Sequence, residues 1–107
     1  MTTATSIEGK FHNEMIQIYE KAKQECGYNA TRFFQMVTEL GGVQAARSLL
    51  RSNALSDGLV ELWERGRLDL TMEALVLRPP WKILFTSEEL ATAEKRLRDL
   101  GYAPAGS

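Results

Sequence analysis

Apolar side chains recur along most of this chain at the three- and four-residue spacing of helix faces, and almost nowhere at the two-residue alternation of strands. From Ile7 to Cys26 one stripe, formed by Phe11, Met15, Ile18, Tyr19, Ala22 and Cys26, predicts an amphipathic helix stopped by Gly27. Asn29 is the expected N-cap of a second helix, whose Phe33, Phe34, Val37 and Leu40 face inward before Gly41-Gly42 ends it. A third short helix starts at Val43 and reaches Leu50, with Val43, Ala46, Leu49 and Leu50 inward and a polar Arg51-Ser52-Asn53 turn behind it. Ser56 or Asp57 caps a fourth, which has Leu59, Leu62 and Trp63 on its apolar edge and Gly66 at its left-handed end.

The following stretch is less regular. Leu68 to Met72 alternates briefly, but Glu73-Ala74-Leu75-Val76-Leu77 holds good helix formers behind an Asp69 or Thr71 cap, which predicts a fifth short helix. Pro79-Pro80 breaks it, because proline lacks an amide donor and pushes the preceding residue out of helical geometry. Trp81 to Phe85 is left as a turn packed on the core. Thr86-Ser87-Glu88-Glu89 reads as a capping box, and Leu90, Ala93, Leu97 and Leu100 carry the last helix to Gly101. The expectation is an all-α, single-domain bundle of five or six short helices over 7–102, with flexible ends at 1–6 and 103–107.

Three phrases together resemble a group of small uncharacterised bacterial helical proteins. They are Glu25-Cys26-Gly27-Tyr28-Asn29-Ala30-Thr31-Arg32-Phe33, the Gly41-Gly42-Val43-Gln44-Ala45-Ala46-Arg47 turn, and Leu62-Trp63-Glu64-Arg65-Gly66-Arg67-Leu68-Asp69-Leu70. The resemblance covers most of the chain, from Phe11 to Tyr102. It implies a soluble bacterial helical protein and brings with it no activity, substrate or functional residue.

Composition narrows the chemistry more than the function. At 107 residues, 44% hydrophobic and 25% charged, the chain matches an ordinary globular domain rather than a disordered one. Thirteen Lys and Arg against fourteen Asp and Glu leave a net charge of -1, so no overall positive field points to nucleic acid or an anionic membrane. One cysteine, Cys26, excludes an intrachain disulfide, and one histidine, His12, leaves too few ligands for a Cys/His zinc set. The start lacks the basic and apolar regions of a signal peptide, and no apolar run approaches a membrane span, so a cytoplasmic protein without cofactor or membrane contact is expected.

Candidate chemistry is sparse. His12 and Cys26 on one helix would be about 21 Å apart, too far for a nucleophilic pair, so Cys26 reads as a small buried group and His12 as a surface residue. Asp57, Glu61 and Glu64, with Asp69 and Glu73 beyond, read as a solvated acidic face in which Glu61 supports Arg65, rather than as a cation site. The helix pair around Gly41-Gly42 superficially resembles a helix-turn-helix, with Arg32, Gln44, Arg47 and Arg51 as candidate nucleic-acid contacts. The reading that asks least of the chain is a non-enzymatic module for protein–protein interaction or regulation, anchored by Trp81 with Phe85, Lys82 and Arg67. Trp63 is expected in the core, and Trp81 either there, between the fifth and last helices, or on a partner. The stripe of the first helix would be buried equally well by its own bundle or by a second copy in a homodimer.

Overall fold

A computed structural model describes residues 6–52 and 57–102 of the chain, and among them all regular structure is helical. Six α-helices follow one another: α1 (Ile7–Cys26), α2 (Thr31–Leu40), α3 (Gly42–Arg51), α4 (Asp57–Glu64), α5 (Met72–Val76) and α6 (Ser87–Asp99). Two 3-10 turns, Leu68–Leu70 and Trp81–Leu84, lead into α5 and α6. The bundle expected from helical periodicity is therefore the fold. The expected flexible ends at 1–5 and 103–107 and the expected cap at Ser56 lie outside the described residues. Ser6, grouped with the flexible start, accepts a hydrogen bond from the Gly9 amide and is the N-cap of α1.

Local signals set most boundaries. Gly27 ends α1 at φ 70°, and the Gly27 and Tyr28 amides donate back to the carbonyls of Lys23 and Ala22. Thr71 caps α5 through the Ala74 amide, and Thr86 and Glu89 close both halves of the capping box on α6. The expected cap of α2 fails. Asn29 turns its Oδ1 to the Tyr19 hydroxyl at 2.8 Å, leaving Ala30 as an N-cap with no side-chain hydrogen bond.

The core centres on α1. Phe11 is fully buried, with the rings of Trp81 and Phe85 5.7 and 5.3 Å from its own. Met15, Val37, Ala45, Leu75 and Leu97 bring α2, α3, α5 and α6 onto the same cluster. Trp81 thus meets the first helix through Phe11, while its turn also packs on α5. Trp63, expected inside, is 45% exposed on the outer side of α4. His12 is half-buried rather than superficial, because its Nδ1 accepts the Gly42 amide at 3.0 Å where α3 begins against α1. Glu73 also departs from the expected solvated face: it is 1% exposed, paired at 3.1 Å to Arg96, which is buried too.

Candidate partner-binding groove

α2 is an amphipathic helix with only Val37 fully buried; Phe33 and Met36 are partly covered by the core, and Phe34 and Leu40 are exposed. It packs on α1 and α3, whereas α4 packs on the Leu68–Leu70 turn, and the space between α2 and α4 is a cavity of about 640 Å³. Phe33, Met36 and Leu40 form one wall and Leu59 and Leu62 the other. Ile18 and Ala22 of α1, with Leu70 and Met72, lie between them. The size and apolar lining fit a ligand or a partner's side chains rather than a packing defect.

The polar groups of the groove sit at its ends and its base. Arg32 and Glu39 on α2, both exposed, line it two turns apart. Tyr19 stacks on Phe34, ring centroids 4.6 Å apart, and holds Asn29 at one end. At the base lies Glu73, whose carboxyl is pushed above the usual range by burial, against a smaller opposite pull from its own backbone and from Arg96. Arg96 also donates to the carbonyls of Leu49 at 3.1 Å and Ser52 at 2.6 Å, so the same guanidinium closes the C-terminal end of α3.

Of the residues expected to bind a partner, Trp81, Lys82 and Phe85 lie together and Arg67 lies apart. Phe85 is a core residue beneath Phe11 and closed to solvent, and Trp81 shows only part of its ring. Lys82 is exposed, beside Ile83, which at 76% is the most exposed large apolar side chain among the described residues. Arg67 is elsewhere. It pairs with Glu25 at 2.9 Å and Asp69 at 3.0 Å, and Glu25 lies fourteen residues along α1 from the Phe11 that Trp81 touches, a span of about 21 Å. The Arg67 guanidinium holds the Asp69 carboxyl below its usual range. Arg65 pairs with Glu61 at 3.2 Å as its helical spacing predicts, and also donates to the Cys26 carbonyl at 2.7 Å.

The residues weighed for nucleic acid are partly brought together. Gln44, Arg47 and Arg51 share a shallow hollow on α3, while Arg32 stands in the other groove. Arg51 meets Glu89 at 3.2 Å and Arg47 meets it at 3.8 Å while donating to the Leu84 carbonyl at 2.7 Å. Glu39 also lines the hollow, and both arginines pair with the carboxylate of Glu89, so the hollow is not a purely basic face. The joint between α2 and α3 is a single residue, Gly41 at φ 87°, shorter than a helix-turn-helix turn. Among the described residues no three His, Cys, Asp or Glu gather as a metal ion would require, and no helix is long and apolar enough to cross a membrane.

No family model, curated protein or solved structure matches this chain. The groove rests on geometry alone. Sequence reasoning missed it because periodicity assigns every apolar residue of α2 to a core, and only the assembled bundle leaves part of that face uncovered. One signal for the base was present: Glu73 interrupts an otherwise apolar run from Met72 to Leu77, as a buried, paired carboxylate does.

Proposed function

We propose that this chain is a non-enzymatic interaction module that takes the apolar face of a partner helix into the groove between α2 and α4. The observation that carries the reading is the groove itself, about 640 Å³ and walled by Phe33, Met36 and Leu40 against Leu59 and Leu62. Its α2 wall is ten residues, about 15 Å, a length matched by two to three turns of helix with anchors at i, i+3, i+4 and i+7. Covering the part of the α2 wall that is still exposed, Leu40 above all, removes apolar area from water at about 25 cal/mol per Å², which favours occupancy. The engagement of His12 with the Gly42 amide, far along α1 from Cys26, also favours binding over nucleophilic catalysis. The single half-buried thiol suits the reducing cytoplasm we assign to it.

Leu40, 50% exposed at the end of the wall, gives the test. Tagged wild type captures a protein partner that resists nuclease, and Leu40→Asp loses at least tenfold of it while its melting temperature stays within about 2 °C. Capture unaffected by Leu40→Asp removes the groove from the reading. Recovery of nucleic acid that Arg47→Ala and Arg51→Ala abolish replaces the reading with a nucleic-acid binder.

A further inference from the structure

Helix α2 carries the charge pattern that its own groove calls for. Arg32 and Glu39 are seven residues apart, so they share one face of the helix at a separation of about 10 Å, with Gln35 and Met36 lining the groove between them. Turned end for end about the midpoint between Gln35 and Met36, that face places Arg32 where Glu39 stood. A surface of this kind complements itself across a two-fold axis, the symmetry of an isologous interface.

We infer that the helix accepted by the groove is α2 of a second copy of this chain, packed antiparallel across a two-fold axis between Gln35 and Met36. The inference rests on the reading of the groove as a docking site. Arg32 of each copy faces the partner's Glu39, so one sequence pair supplies two attractions. A parallel arrangement would set like charges against each other at both ends, and the charges therefore select the direction. Leu40, the most exposed apolar group lining the groove, falls opposite the partner's Thr31 and is covered. Arg32 is not without contacts in its own chain, and a guanidinium with five donors keeps them while meeting a carboxylate. An interface built on ten-residue helices is small, and its dissociation constant belongs on the order of micromolar.

Sedimentation equilibrium of the whole chain, from about micromolar to millimolar concentration, tests the inference with Arg32→Glu, Glu39→Arg and the double variant. Both sites of change are exposed, and circular dichroism melts check that each variant keeps its fold. Wild type dimerises reversibly, each single variant loses at least about tenfold in association constant, and the double variant recovers it. A monomeric wild type overturns the inference, as does dimerisation that the single variants leave intact or that the double variant fails to restore. The groove reading is judged separately. If wild type is monomeric but still captures another protein through Leu40, only the second copy falls; if Leu40→Asp changes neither capture nor association, both fall.

Discussion

No side chain fits at Gly42. A Cβ there would lie 2.6 Å from the Cα and 3.2 Å from the amide nitrogen of His12, and both are backbone atoms that cannot swing away. The sequence presents Gly41-Gly42 as one helix stop, yet the two residues have different tasks. Gly41 supplies the positive φ of the joint, while Gly42 is the first residue of α3 and lets that helix press on α1. That division depends on which helix crosses there, and no local pattern reveals it. Gly42→Ala should cost about 1–3 kcal/mol in urea unfolding, whereas Gly58→Ala, in α4 with nothing within 4 Å of the added carbon, should gain about 0.5–1 kcal/mol. Equal effects at the two glycines would show that helix propensity, not the contact with α1, governs Gly42.

Between elements, the buried Glu73–Arg96 pair joins α5 to α6, and the remaining donors of Arg96 tie both to the end of α3. Burial raises the Glu73 carboxyl above its unfolded value, so its contribution to stability is fully present below the ordinary carboxylate range and is lost as pH rises through the raised value. Wild type should therefore be most favoured over Glu73→Gln in acid, with the difference shrinking toward neutrality in urea titrations at a series of pH values. A difference that grows with pH would mean that attraction to Arg96 outweighs burial. Arg96→Met strands the carboxylate and should cost about 3 kcal/mol at neutral pH, with partial recovery in acid as the group takes up a proton. Elements defined by short-range chemistry, such as the Thr86–Glu89 capping box, were legible in the sequence. The cap at Asn29 was not, since Tyr19 ten residues earlier claims the same oxygen.

Across the molecule, burial is unevenly shared, and among the α-helices the two that wall the groove hold the least of it. α1 sinks Phe11, Met15, Ile18 and Ala22, and every residue of α5 is buried; α2 has Val37 alone, and α4 anchors through Leu59 and Leu62. Helical periodicity sufficed for the fold class because the longer segments are amphipathic, but it carries no information on which stripe remains uncovered once six helices compete for the core. Local opening follows buried contact, so the amides of α2 and α4 should exchange with solvent deuterium at lower opening free energies than those of α1 between Phe11 and Ala22. Occupancy of the groove adds contacts to both walls at once, and protection of α2 and α4 should then rise together with protein concentration, at the concentration where sedimentation reports the dimer. Exchange in α2 as slow as in α1 at every concentration would describe a groove that is rigid before it is filled, and docking would then leave no trace in the dynamics of its walls.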